Sequence, residues 1–183
     1  MSFRGFVSAD IEPNQQLTGI LNELSASRAD IKVVKPGLLH VTLKFLGQTD
    51  EKLVPDIETR MAAACAGIPP FTIRLKGMGA FPSLSNIRVV WVGIEHGEPL
   101  ARIAEALEKS MIELGFNEEK RGFKPHLTLA RMRSGRNMGN VQIILKENAA
   151  SEFGDYRIDK ISLKKSVLSP QGPTYSDVHE HRL

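Results

Sequence analysis

The segment LLHVTLKFLG, Leu38–Gly47, places a histidine inside an apolar, β-prone stretch, and a similar pattern returns in FKPHLTLARMR, Phe123–Arg133. In both segments the histidine is followed by an apolar residue, a threonine and a leucine. One imidazole in such a strand means little, because a single backbone carbonyl can satisfy it. Two occurrences, each in an apolar strand, indicate a shared function.

Each motif puts its histidine and threonine on one face of a strand. Side chains alternate between the faces of an extended strand, so His40 and Thr42 point the same way, about 7 Å apart. His126 and Thr128 repeat the arrangement. If the two halves pack around an approximate two-fold axis, two imidazoles and two hydroxyls line one cleft. Such a cleft suits in-line displacement at phosphorus, with an acid and a base on opposite sides and hydroxyls on the non-bridging oxygens.

The flanking sequence predicts the same order of elements around both motifs: strand, helix, motif strand, helix, strand, strand. Besides the two motif segments, strands are predicted over residues 3–11, 71–77, 87–95, 156–168 and 175–182, with a loop over 79–84. Helices are predicted around the apolar positions 17–24, 53–61, 100–114 and 141–145. We therefore predict an α+β fold of two pseudo-symmetric lobes of antiparallel sheet, with the helices packed on the outside around a central cleft. The chain would be one bilobal domain, 1–183, with halves of approximately 1–95 and 96–183.

The composition is that of an ordinary globular protein. The 183 residues are 42% hydrophobic and 25% charged, with a net charge of +3. No apolar run approaches the roughly 20 residues that cross a bilayer, and the N-terminus lacks a signal-peptide core, so we expect a cytoplasmic protein that contacts no membrane. The lone Cys65 agrees with a reducing compartment, and we interpret it as a small core residue rather than a catalytic thiol.

Because the charge is nearly balanced, any site for a polyanion must be local. The densest basic cluster, Arg131, Arg133 and Arg136, directly follows the second motif, although such a run can also be a solvated loop. His179 and His181 could share a strand face and bind a metal, but no third ligand follows at a recognised spacing, so we predict a solvent-facing strand and no metal site. Phe45 and Trp91 could stack on bases, but we assign them to the core.

The tetrapeptides HVTL and HLTL resemble the two signatures of the 2H phosphoesterase superfamily. The longer strings HVTLKFLG, KPHLTLARMR and SPQGPTY are similar to its RNA 2′,3′-cyclic phosphodiesterase branch, also known as the 2′-5′ RNA ligase-like family. The resemblance implies an enzyme that opens 2′,3′-cyclic phosphate ends of RNA to a 2′-phosphate, without a metal or other cofactor. It implies that His40 is the general acid and His126 the general base. Thr42 and Thr128 would bind the phosphate, and Arg131 would contact the anionic substrate.

The expected partners are RNA with 2′,3′-cyclic phosphate ends, including tRNA fragments, or small cyclic nucleotides, and we expect a monomer. The resemblance leaves open 2′-5′ RNA ligation, in which a 5′-hydroxyl replaces water. Two further alternatives are a non-catalytic RNA-end or nucleotide-binding module and a metal-dependent hydrolase that uses the two histidines as ligands. A binding module would not need histidines at both matched positions, which favours an enzyme. Chelation would abolish activity only in the metal-dependent case. No Walker-type glycine loop is present, which argues against ATP-driven ligation.

Overall fold

The computed structural model describes residues 1–170 and 172–183, which form nine β-strands and four α-helices. The strands are β1 (Ser2–Asp10), β2 (Ile31–Val33), β3 (His40–Asp50), β4 (Phe71–Ser83), β5 (Asn86–Glu95), β6 (His126–Met132), β7 (Glu152–Ile158), β8 (Lys160–Ser169) and β9 (Gly172–Arg182). The helices are α1 (Gln15–Ala26), α2 (Val54–Cys65), α3 (Glu98–Glu113) and α4 (Met138–Glu147). Short 3-10 turns cover Pro36–Leu38 and Glu51–Leu53.

The elements follow the predicted order, with differences in the strands. The three-residue strand β2 was not predicted, and the segment 156–168 contains parts of two strands that meet at Asp159. The predicted loop over 79–84 is wrong, because β4 continues to Ser83 and pairs with β5. Pro82 cannot donate a backbone hydrogen bond, but it lies at a register shift next to the hairpin, where a strand tolerates proline.

All strand pairs are antiparallel, and they form two sheets. One sheet has the order β3-β1-β8-β9 and the other the order β2-β6-β5-β4-β7. Each sheet therefore contains strands from both halves of the sequence. The run β3-β1-β8-β9 corresponds to β6-β5-β4-β7, with a motif strand at the start of each, whereas β2 has no counterpart. The predicted α+β fold with two pseudo-symmetric antiparallel lobes is confirmed, and the division at residue 95 stays a prediction.

The helices bury one apolar face each. The buried side chains of α1 and α3 recur every three or four positions: Leu17, Ile20, Leu21 and Leu24, and Leu100, Ile103, Leu107 and Met111. Cys65 at the end of α2 is buried, and burial raises the pKa of its thiol to about 11, which keeps it protonated near neutral pH. Within the described part of the chain, no helix has the length and apolar character that crossing a membrane requires.

Candidate active site

Arg131 shares a strand face with His126 because β6 contains a β-bulge. Regular alternation would put their side chains on opposite faces, since an odd number of positions separates them. Relative to β5, however, β6 holds one extra residue at Leu129, and this residue resets the alternation. The shared face is defined by the register pairs Gly93 with His126, Trp91 with Thr128, and Val89 with Arg131.

The strand β3 repeats this construction around the first histidine. Relative to β1, its extra residue is Leu43, and the register pairs on the shared face are Asp10 with His40, Ser8 with Thr42, and Phe6 with Phe45. The fifth position after the histidine is therefore Phe45 on one motif strand and arginine on the other. Phe45 is 58% exposed, so its assignment to the core is wrong. The bulge turns its ring to the face that carries His40.

Both histidines are held by the backbone carbonyl two residues before them. Nδ1 of His40 lies 2.7 Å from the carbonyl oxygen of Leu38, and Nδ1 of His126 lies 2.7 Å from that of Lys124. Because a carbonyl oxygen only accepts hydrogen bonds, each Nδ1 carries the hydrogen and donates it. Nε2 of each ring is then the nitrogen that can accept or release a proton.

Burial lowers the pKa of both imidazoles below the ordinary value of 6.5. The hydrogen bonds to the carbonyls oppose this effect, because they favour the charged ring, whereas the positive charge of Arg131 lowers both pKa values further. One guanidinium therefore lies within electrostatic reach of both rings. The fold thus brings His40, His126 and Arg131, which come from two different sheets, into one site.

An ion-pair network centred on the buried Lys164 lies beside His40. Nζ of Lys164 lies 2.8 Å from Oδ2 of Asp10 and 2.6 Å from Oδ1 of Asp177. Burial disfavours the charged lysine, but the two carboxylates overcome this and hold its pKa above the ordinary value. Asp10 lies opposite His40 across the β1–β3 pair and raises the pKa of His40, an effect that Lys164 partly cancels.

Aromatic rings flank both histidines. The ring of His40 lies 5.0 Å from that of Phe6 and 5.3 Å from that of Tyr175, which it meets edge-on. His126 meets Phe81 edge-on at 5.1 Å. These rings shield the imidazoles from water, which is the physical basis of the burial that lowers their pKa values. Sequence patterns could not find this enclosure, because it depends on which strands become neighbours.

Tyr175 adds a polar group to the site. Burial raises the pKa of its phenol, and the nearby positive charges of Arg131 and Arg4 oppose the rise. The phenol is therefore neutral near pH 7 and can donate a hydrogen bond. Tyr175 ends the SPQGPTY string, which is the signal that could have found it.

The remaining candidates lie elsewhere. Arg133 and Arg136 follow the end of β6 in an exposed loop held by Asp30, whose backbone N–H donates to the carbonyl of Arg136 and whose carbonyl accepts from the N–H of Arg133. His179 Nδ1 lies 3.3 Å from Oε1 of Glu58 on α2. Among residues 1–170 and 172–183, no group of three or more His, Cys, Asp or Glu side chains is placed to hold a metal ion.

Two antiparallel lobes, each with a His-x-Thr strand, define a 2H phosphoesterase. The family model described as LigT like Phosphoesterase matches this sequence twice, over residues 9–91 and 92–175. The chain belongs to this family.

Curated relatives and solved structures agree with this membership. A Methanothermobacter thermautotrophicus protein is 35% identical over 100% of both chains, and an Archaeoglobus fulgidus protein is 36% identical over 96% of this chain and 97% of its own. Both are named RNA 2′,3′-cyclic phosphodiesterase. A crystal structure of a Thermus thermophilus protein has a TM-score of 0.81 at 28% identity, covering 98% of this chain and 97% of that one. Escherichia coli LigT complexed with 3′-AMP shares the fold, with a TM-score of 0.77 at 22% identity over 100% and 99% of the two chains.

Proposed function

We propose that the protein is an RNA 2′,3′-cyclic phosphodiesterase that opens a terminal 2′,3′-cyclic phosphate to a 2′-phosphate by paired-histidine catalysis. The observation that carries the proposal is that the two imidazoles have the same surroundings. In each ring Nδ1 donates to a backbone carbonyl, and Arg131 lowers the pKa of both rings. The relatives of that name, which match along the whole chain, support the substrate class.

In the proposed reaction, a water molecule attacks phosphorus opposite the 3′-oxygen. Nε2 of His126 accepts a proton from the water as the new P–O bond forms. Nε2 of His40 donates a proton to the 3′-oxygen as its bond to phosphorus breaks. The product carries a 2′-phosphate and a 3′-hydroxyl, and exchange of protons with solvent restores both histidines.

The charges around the two rings support this division of roles. The general acid must be protonated before the reaction, and the Asp10 carboxylate favours the imidazolium of His40, although Lys164 and Arg131 oppose this effect. Within the described part of the chain, the charge that shifts the pKa of His126 is Arg131, which favours the neutral ring that a base requires. We assign the acid to His40 and the base to His126 by the positions of the two family motifs, and the action of Asp10 on His40 agrees with this assignment.

Thr42, Thr128 and Arg131 bind the phosphate in this proposal. Each threonine shares a strand face with its histidine, and a hydroxyl can donate to a non-bridging oxygen. The guanidinium can form charge-assisted hydrogen bonds with the same group. Because a bound anion offsets the charge of Arg131, substrate binding will raise the pKa of both histidines.

A single chain contains both motif histidines, which supports a monomer whose halves, approximately 1–95 and 96–183, each supply one histidine. The buried, unpaired Cys65 supports a cytoplasmic location. The proposed substrates are RNA ends that carry the cyclic phosphate, including those of tRNA fragments, and small cyclic nucleotides.

The test compares His40→Ala and His126→Ala with wild type on a short RNA that carries a 2′,3′-cyclic phosphate, in excess EDTA. Each variant should lose about 10²- to 10⁴-fold in rate, the usual contribution of a general acid or base. His181→Ala, on the terminal strand β9, is the matched control and should keep the wild-type rate. A folded His40 or His126 variant with the wild-type rate, or a 3′-phosphate product, would refute the proposal.

A further inference from the structure

The strand β2 brings a second cation to the face that carries Arg131. β2 pairs with β6 in the register Ile31 with Met132, Lys32 with Arg131 and Val33 with Ala130. Residues directly opposite each other on neighbouring strands point to the same face. Lys32 therefore lies on the face of His126 and Thr128, on the strand that has no counterpart in the first sheet.

The side chain of Lys32 reaches from this sheet to the other one. If Gly172, the first residue of β9, carried a Cβ, that atom would lie 3.1 Å from Nζ and 3.4 Å from Cε of Lys32. Gly172 also has a φ of +120°, which side chains rarely adopt. Glycine thus leaves room for the lysine at the end of the β8–β9 hairpin, three residues before Tyr175.

The cations on this face differ from Lys164 in their ion pairing. In the part of the chain that the structure describes, neither Lys32 nor Arg131 forms a salt bridge with a carboxylate. By contrast, Lys164, on the His40 side, is held by two. Lys32 and Arg131 therefore place two positive charges next to each other on the His126 side, beside β2.

We propose that Lys32 binds the phosphate on the 5′ side of the terminal nucleotide, so that the site is built for an RNA chain rather than for a lone nucleoside cyclic phosphate. The inference rests on the proposed function, because that function places the reacting phosphate at Arg131 and the histidines. The next anion along an RNA chain is the 5′-phosphate of the same nucleotide. An ammonium group is a compact charge that suits the oxygens of a phosphodiester.

The most direct test is a pair of ligands that differ only in that phosphate. Binding of adenosine 2′,5′-bisphosphate and of adenosine 2′-monophosphate is measured by titration calorimetry, which needs no turnover. Wild type should bind the bisphosphate about tenfold more tightly, as one charge-assisted contact allows. Lys32→Met should remove this preference, and it should lower the affinity for the monophosphate much less than that for the bisphosphate. Lys32→Arg should keep most of it, because the charge remains.

Lys35→Met is the matched control, because Lys35 is exposed and lies just beyond β2. It should keep the tenfold preference. Equal binding of the two ligands by wild type, or a preference that survives Lys32→Met, would overturn the inference. Failure of the proposed function gives a different result, since wild type would then not open a cyclic phosphate at all. With single-stranded RNA, Lys32→Met should also reduce the slope of log affinity against log salt by about 0.7.

Discussion

Replacing Glu108 with alanine will destabilise the protein far more than replacing Glu113, although both residues lie on α3 and both form ion pairs. Glu108 pairs with Lys44, whose side chain is 2% exposed. Nζ of Lys44 donates to Oε1 and Oε2 of Glu108, at 2.8 and 2.7 Å, and to the carbonyl of Asn117 at 2.7 Å. Glu108→Ala removes two of these three acceptors from a buried ammonium group.

Breaking a buried ion pair in this way costs about 3–5 kcal/mol. The pair Arg60–Glu113 has side chains that are 38% and 63% exposed, and an exposed pair contributes about 0–1 kcal/mol. The reverse change, Lys44→Met, should cost less than Glu108→Ala, because the Glu108 side chain is 25% exposed and still accepts from the backbone N–H of Glu119.

The assay is urea unfolding followed by circular dichroism. With a slope of about 1–3 kcal/mol per molar urea, Glu108→Ala should lower the midpoint by roughly 2 M, and Glu113→Ala by less than about 0.5 M. Lys44 also joins β3 to Asn117, in the segment before His126. Glu108→Ala should therefore also lower the rate of hydrolysis of protein that remains folded. Equal midpoints for the two glutamate variants would show that the Lys44–Glu108 pair contributes no more stability than the exposed Arg60–Glu113 pair.

Two further changes test the site itself. Arg131→Met should raise the pKa of both histidines, which moves the pH profile of kcat/KM to higher pH, and it should also raise KM. A higher KM with a pH profile that does not move would contradict the shared influence of Arg131. Gly79→Ala would place a Cβ less than 3.0 Å from three ring atoms of Trp91, so it should cost about 1–3 kcal/mol and change the fluorescence of the single tryptophan. A Cβ at Gly19 in α1 meets open space, so Gly19→Ala should instead stabilise the protein by about 0.4–1 kcal/mol. Stability changes of the same sign for Gly79→Ala and Gly19→Ala would contradict this packing.

Much of the fold follows from local sequence patterns. Apolar residues at helical spacing predicted all four helices, and two matched His-x-Thr strands predicted the two lobes. Short-range patterns failed where pairing decided the structure. The strand β2 has only three residues and is defined by its pairing with β6, and β4 continues through Pro82 because β5 pairs with it.

The site was predictable only in part, for the same reason. His40 and His126 stand out in the sequence, but the face of Arg131 depends on a bulge at Leu129 that alternation does not reveal. Asp10 reaches His40 through the register of β1, and Tyr175 reaches it from β9, at the far end of the chain. Such partners are set by long-range pairing, which one sequence does not specify.

If two histidines with lowered pKa values act as acid and base, the pH dependence of kcat/KM will show both of them. The profile is measured in excess EDTA on an RNA with a 2′,3′-cyclic phosphate end. The rate should fall at low pH as the base His126 becomes protonated, and at high pH as the acid His40 loses its proton. Both pKa values lie below 6.5, so the bell should be centred below pH 6.5. A profile without a bell, a centre above 6.5, or loss of activity to EDTA would contradict the account.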